Sequence, residues 1–317
     1  MIRKDALPDT WNDSWHTLQE PQHLTVRQGT SMKLVLCNPA DAPMFMLKVC
    51  DDYTVMPDIE NMDITVEEGA HLALYRLQGM NCGLDVPSGS VKPHLTELHI
   101  AMQRNASANI FTITLGGAHV RNNIMVRMQG EGCTLEGDGL YLIDREQECD
   151  NYIFVEHAKP HCQSHELYKG IIDDAAKARF NGHVLVQDGA MKTEAYQTNR
   201  NILLTDKAHV DTRPFLEIYN DDVKCSHGST IGQLDEQALY YLMTRGIPHR
   251  TAVTMLSYAF CDEVISRIAL PQLRDAVSDM VKKRLHGELT PCTDCALQCS
   301  SPCNGPDANF VIDTSRI

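Results

Sequence analysis

Residues 201–247 read NILLTDKAHVDTRPFLEIYNDDVKCSHGSTIGQLDEQALYYLMTRGI, and this stretch decides the fold. Asn201-Ile202-Leu203-Leu204 and Pro214-Phe215-Leu216-Glu217-Ile218 are short apolar runs set off by small and polar residues, the pattern of strands. From Leu234-Asp235-Glu236-Gln237 onward the apolar residues recur at helical spacing. Between the two textures stands Cys225-Ser226-His227-Gly228. Strand side chains two positions apart share a face. Cys225 and His227 are therefore expected to offer one soft and one borderline ligand to the same point.

Toward the N-terminus the strand texture continues back to about His23. Ile64-Thr65-Val66, Ile110-Phe111-Thr112-Ile113-Thr114-Leu115, Ile124-Met125-Val126, Tyr152-Ile153-Phe154-Val155 and His183-Val184-Leu185-Val186 are among its runs, rich in β-branched residues. A small residue recurs at the turns: Gly69-Ala70, Gly117-Ala118, Gly132-Cys133, Gly189-Ala190 and Lys207-Ala208. The spacing is roughly ten to twenty residues, with no strict period. Strands at this rhythm suit a sandwich, a barrel or a β-solenoid. Small residues at the corners favour the solenoid, because each rung must stack closely on the next. Ahead of this body, Trp11, Trp15 and Leu18 lie at helical spacing and predict a short helix within residues 1–22.

Beyond Gly232 three helices are expected within residues 233–288. The first runs from Asp235 to Arg245 and stops at Gly246; the second follows Pro248 and the third Pro271. Their apolar stripes, among them Met255, Leu256, Phe260, Val264, Val277 and Val281, call for packing on the solenoid end or for a docking partner. Residues 289–317 form a cysteine-rich tail.

The net charge of −14 argues against a nucleic-acid partner, whose phosphates such a field repels. Lys282-Lys283-Arg284 is the best basic cluster and reads as the last turn of a helix. No apolar run approaches the ~18 residues of a membrane span, so no membrane is expected. Met1-Ile2-Arg3-Lys4-Asp5 leads into no apolar segment, so the expected address is the cytoplasm. Disulfides are disfavoured there, and the twelve cysteines point to metal or redox chemistry.

The same residues carry a family resemblance. Asn201 to Ala208, Pro214 to Ile218, Asp221-Asp222-Val223-Lys224-Cys225-Ser226-His227-Gly228, Leu239-Tyr240-Tyr241-Leu242 and Arg245-Gly246-Ile247 resemble the SufB/SufD family of iron–sulfur cluster assembly proteins. So do His161-Cys162-Gln163-Ser164, Tyr168-Lys169-Gly170, Phe180-Asn181-Gly182 and Gln197-Thr198-Asn199-Arg200-Asn201. The resemblance is dense between about residues 150 and 270. It implies a right-handed parallel β-helix followed by a helical domain that docks the SufC ATPase, an ABC-type subunit. It implies pairing of two such chains through their last strands, as SufB with SufD or as a homodimer. ATP binding by SufC would then rearrange the pair and expose a surface where iron and sulfide assemble. SufB proteins carry a cysteine where this chain has Ala208 and a glutamate where it has Gly228, so the chain is SufD-like. It is also shorter than the longer members, which leaves open a compact system in which the chain forms a homodimer with two SufC-type subunits.

The resemblance places His227 at the cluster-assembly interface, with Cys225 beside it. Neutral imidazole suits iron and thiolate is a soft partner. Read without the resemblance, Cys225 is an apolar filler and His227 a core hydrogen-bonder. His157, His161 and Cys162 form a second group. Adjacent His161 and Cys162 face opposite sides of a strand, so this group reads as structural. Cys292, Cys295, Cys299 and Cys303 would spread ~16 Å along a continuous helix, too far for one ion. Pro291 and Pro302 argue for a looped tail instead, in which four thiolates suit zinc or an iron–sulfur cluster. A thiol-rich tail without metal is the other reading.

Neither a Gly-x4-Gly-Lys-Ser/Thr loop nor a Gly-x-Ser-x-Gly elbow occurs, so the chain is not expected to be an enzyme alone, and ATP hydrolysis falls to a partner. The rivals are a thiol-rich metal-binding protein and a β-helix enzyme acting on carbohydrate through Asp211, Glu217, Asp221 and Asp222.

Overall fold

A computed structural model describes residues 20–37, 54–57, 60–79 and 94–286. Among these residues fifteen strands, numbered in chain order, form two parallel sheets. One sheet runs β1 (Gln22–Val26), β4 (Asn61–Val66), β6 (His94–Met102), β8 (His119–Met128), β10 (Glu148–His157), β12 (Lys177–Val186), β14 (His209–Ile218). The other runs β3 (Thr54–Pro57), β2 (Ser31–Cys37), β5 (His71–Gln78), β7 (Ser107–Thr114), β9 (Thr134–Ile143), β11 (Gln163–Ile172), β13 (Thr193–Leu203), β15 (Val223–Gly232). From β4 to β15 the chain alternates between the sheets. That alternation is a β-solenoid, the fold that the small-residue corners favoured.

The repeat is the whole rung. Side chains that meet on stacked rungs are 29 residues apart for Arg127 and Glu156, 30 for Lys192 and Asp222, and 31 for Glu166 and Gln197. The ten-to-twenty interval legible in the sequence is half of this unit, one strand and one corner.

The corners explain the recurring small residue. Gly69, Asn105, Gly132 and His161 each adopt a left-handed backbone, with φ of 64°, 54°, 72° and 60°. Each precedes a buried small residue: Ala70, Ala106, Cys133 and Cys162. These four stack in one column. Ser107 N donates to Ala70 O, Thr134 N to Ala106 O, Gln163 N to Cys133 O and Glu194 N to Cys162 O, at 2.8–3.0 Å. A larger side chain in this column would push the rungs apart. Cys133 and Cys162 are thus thiols in alanine sites, and both donate to Gly130 O, at 3.3 and 3.4 Å. The six described cysteines are free thiols, and only Cys225 among them is not fully buried.

Two apolar clusters hold the molecule together. One fills the lumen between the sheets and includes Leu34, Ile64, Leu74, Ile110, Val126, Ile153, Phe180 and Val184. The other lies on the outer face of the second sheet, under α2 (His249–Ile265) and α3 (Pro271–His286). Tyr75, Phe111, Ile113, Leu140, Leu142 and Leu167 there meet Cys261, Val264, Ile265, Val277 and Val281. The helices therefore cover the side of the solenoid, not its end. α1 (Glu236–Thr244) is capped by Asp235, whose Oδ1 accepts from Gln237 N at 2.8 Å, and it ends at Gly246 with φ of 86°. It buries none of its residues. Among the described residues no helix is long and apolar enough to cross a membrane.

Lys169 pins the helices to the sheet. Its ammonium donates to Phe260 O at 2.9 Å, pairs with Glu263 and lies over the Phe260 ring. The Lys169 side chain is 3% exposed and that of Glu263 44%. Removing Glu263 strands a buried charge, whereas removing Lys169 removes the charge itself. Glu263→Ala is expected to lower stability by about 2 kcal/mol and Lys169→Met by less than about 1 kcal/mol. Urea midpoints of the two variants test this ordering, and the reverse order would show that the pair does not carry the docking.

Candidate functional site

The solenoid ends at β14 and β15. Among the described residues each is paired on one side only, β14 to β12 and β15 to β13. The register of β15 on β13 places Cys225 opposite Ala195, His227 opposite Gln197, Ser229 opposite Asn199 and Ile231 opposite Asn201. Ala195, Gln197, Asn199 and Asn201 are all buried. Their partners on β15 thus belong to the lumen face, with no further described rung above them. Thr212 and Ser229 close the rung across the two sheets, Oγ1 to Oγ at 2.9 Å.

Cys225 and His227 therefore share a face, as their spacing requires, and that face is the solenoid's open mouth. Cys225 is half-buried against the lumen core, and this burial pushes its thiol pKa up. His227 is exposed. Lys224 lies on the other face, bonded to Glu194 at 2.8 Å. Gly228 shares that outer face, and a Cβ built on it meets nothing within 4 Å. A carboxylate at 228 would fit there but would stand on the side of the strand away from His227. Ala208 packs into the corner that leads into β14, in the same last rung.

The mouth is also apolar where a solvent-facing end would be polar. Ile218 and Ile231 belong to the lumen columns yet stand exposed, and Phe215 and Tyr219 are exposed nearby. Among the described residues no group of three or more His, Cys, Asp or Glu side chains is gathered to hold a metal ion. Cys225 and His227 make two donors, short of the four that a cluster or a tetrahedral ion takes.

The second sequence group does not assemble as a ligand set. His161 sits exposed in a corner, 3.9 Å from Glu131, while Cys162 points inward. His157 is buried with Nε2 at 2.9 Å from Ser164 Oγ. The carboxylates of the carbohydrate reading are mostly engaged: Asp211 pairs with Arg213 at 2.6 Å, Asp222 pairs with Lys192 at 2.8 Å, and Glu217 hydrogen-bonds His183 at 3.1 Å. Cys292, Cys295, Cys299 and Cys303, and the helix carrying Trp11 and Trp15, lie outside the described residues.

The sequence reading missed Glu166 and Gln197. Both point into the lumen, and Gln197 Nε2 donates to Glu166 Oε2 at 2.7 Å. Burial raises the Glu166 carboxyl to about 7, against the smaller opposing pull of the Gln197 bond. A signal was present: Gln197, Asn199 and Asn201 are polar at every second position, an alternation that in most strands marks the wet face. Here it marks the interior.

The chain is thus a parallel β-solenoid whose last rung, unpaired on its outer side among the described residues, carries a thiol and an imidazole at its mouth. A family model described as SUF system FeS cluster assembly, SufBD core domain, matches residues 47–260, and the chain belongs to that family. It is 36% identical over 224 residues to the iron-sulfur cluster assembly protein SufD of Escherichia coli, covering 71% of this chain and 51% of that protein. A SufBD family protein of Mycobacterium leprae is 36% identical over 200 residues, 61% of this chain and 51% of the relative. The chloroplastic protein ABCI7 of Arabidopsis thaliana is 32% identical over 192 residues, 60% of this chain and 40% of the relative. The chain spans about half the length of the first two and less of the third.

Proposed function

We propose that this chain is a non-catalytic scaffold subunit of the SUF iron–sulfur assembly complex. It pairs through β14 and β15 with a second SufBD-type chain, either another copy of itself or a SufB-like paralogue. Iron and sulfide assemble as cargo at that interface, with His227 and Cys225 as this chain's donors. The observation that carries the reading is the open last rung, where unpaired strand edges and exposed Ile218 and Ile231 surround the two donors. Continuing the sheets into a partner would bury all of them. Like the chain's net charge, the absence of a nucleotide loop agrees with a protein that neither binds nucleic acid nor hydrolyses ATP itself. The docking element for a SufC-type ABC ATPase is the helical segment. There α1 leaves Tyr240, Tyr241 and Met243 exposed, Tyr240 at 68%. Cys292, Cys295, Cys299 and Cys303 form a separate zinc or iron–sulfur site in the tail. The complex works in the cytoplasm.

The test is anaerobic copurification of the chain with its SufC-type partner, with iron, sulfide and the visible spectrum recorded. Wild type should carry the ATPase and a cluster absorption band. His227→Ala should keep the ATPase and lose most of the iron. A variant lacking residues 292–303 should lose a separate metal fraction. Failure to bind any ABC ATPase would overturn the scaffold reading, and undiminished iron in His227→Ala would remove that residue from the site.

A further inference from the structure

His227 is the end of a column that begins deep in the lumen. The register stacks Leu74, Ile110, Gly137, Glu166, Gln197 and His227 on successive rungs. The first two are apolar, and Gly137 leaves room beside Glu166, whose Cγ lies 3.4 Å from a Cβ built there. A carboxyl, an amide and an imidazole follow. Glu166 is 3% exposed and Gln197 1%.

The amide of Gln197 has a built seat. A Cβ added to Gly182, across the lumen on β12, would overlap the Gln197 amide group, so glycine there makes the space. Gln197 Nε2 is committed to Glu166. This leaves Oε1 as the amide's acceptor, and among the described residues Oε1 accepts no hydrogen bond. A buried acceptor left unbonded is costly. The next side chain in the column is His227, one strand spacing away at roughly 4.8 Å between backbones.

An imidazole that binds metal through one nitrogen must carry its proton on the other, and an acceptor behind the ring sets which one. We propose that Glu166 and Gln197 are positioning residues that fix the tautomer of His227. Glu166 holds the amide nitrogen, a rotation of the exposed His227 ring toward the lumen brings one ring N–H to the open Gln197 Oε1, and the lone pair of the other nitrogen then faces the open mouth toward iron. The inference rests on the reading of His227 as an iron donor and deepens it. It names residues two rungs deep that touch no iron.

Two measurements separate the inference from that reading. In the metal-free full chain labelled with 15N-histidine, long-range 15N–1H spectra report each ring's tautomer, with His227→Ala assigning the signal. Wild-type His227 should hold one tautomer, and Gln197→Leu should shift the ratio at least several-fold toward the free-imidazole mixture. A wild-type His227 that already shows the free-imidazole mixture overturns the inference without recourse to any variant. The exchange variant Glu166→Gln with Gln197→Glu keeps a donor below and an acceptor oxygen facing His227, so it should restore the wild-type tautomer where Gln197→Leu loses it. A purely structural role predicts no such rescue. The second measurement is Fe(II) affinity of the anaerobic chain, expected to fall 10–100-fold in Gln197→Leu. Iron loss in His227→Ala with unchanged affinity and tautomer in Gln197→Leu overturns the positioning role alone. Unchanged iron in His227→Ala, with the tautomer still locked by Gln197, overturns the iron-donor reading instead.

Discussion

Gly139→Val is expected to lower the stability of the chain by at least about 3 kcal/mol, at the upper end of overpacking costs. Two tyrosines and two glycines interlock in the lumen of β9 and β11. Tyr168 lies opposite Gly139, and Tyr141 opposite Gly170. Each ring folds over its neighbour's missing side chain, so a Cβ added to either glycine would overlap the ring. The Tyr168 ring has nowhere to retreat, being fully buried with its centroid 5.2 Å from that of Phe180. Tyr141 is equally fixed, since its hydroxyl donates to Asn201 and accepts from Asn199. Gly228→Val is the control, because that position is open and valine favours strands; its effect should stay within about 0.5 kcal/mol. Urea midpoints compare the two. Gly139→Val with Tyr168→Ala should recover part of the loss, because the residues share one space. Equal midpoints for Gly139→Val and Gly228→Val would show that this lumen packing is wrong.

The second large effect is on the pH dependence of stability, through Glu166. Its folded pKa of about 7 lies above the ordinary value of 4.5, chiefly because burial penalises the carboxylate. The protonated acid is therefore the form that the fold prefers. Relative stability is highest below about pH 4.5 and falls as pH rises through 7, where the folded chain must give up the proton that the unfolded chain lost earlier. The total change is on the order of 3 kcal/mol. Glu166→Gln removes this slope while keeping an oxygen to accept from Gln197. The difference in unfolding free energy, variant minus wild type, should therefore rise by that amount between pH 4 and pH 8. Any constant cost of the new amide drops out of the comparison. Parallel urea stability profiles across this range would rule out a buried acid at 166.

Strand, corner and helix were all legible before any fold was known, because each depends on neighbours in the chain. The corner alanines and cysteines follow left-handed residues such as Gly69 and Gly132, and Asp235 and Gly246 mark the ends of α1. The solenoid period was hidden. Rungs of 29 to 31 residues carry no shared motif, since the stacked positions need only matching volume and polarity. The placement of α2 and α3 was hidden too. An apolar helix stripe reveals that something covers it, but Tyr75, Phe111 and Leu140 became its partners only when β5, β7 and β9 lay side by side.

The candidate site divides in the same way. That Cys225 and His227 share a face follows from the sequence alone, because strand side chains alternate with period two. Which face they share was decided by the register of β15 on β13, since a slip of one residue would have turned both outward. That register also joined Gln197 and Glu166 to His227, residues that lie 30 and 61 positions upstream in the sequence. Side-chain parity is a local property of an extended backbone. Columns are made by hydrogen-bonded neighbours a whole rung apart, and only the tertiary structure brings those together.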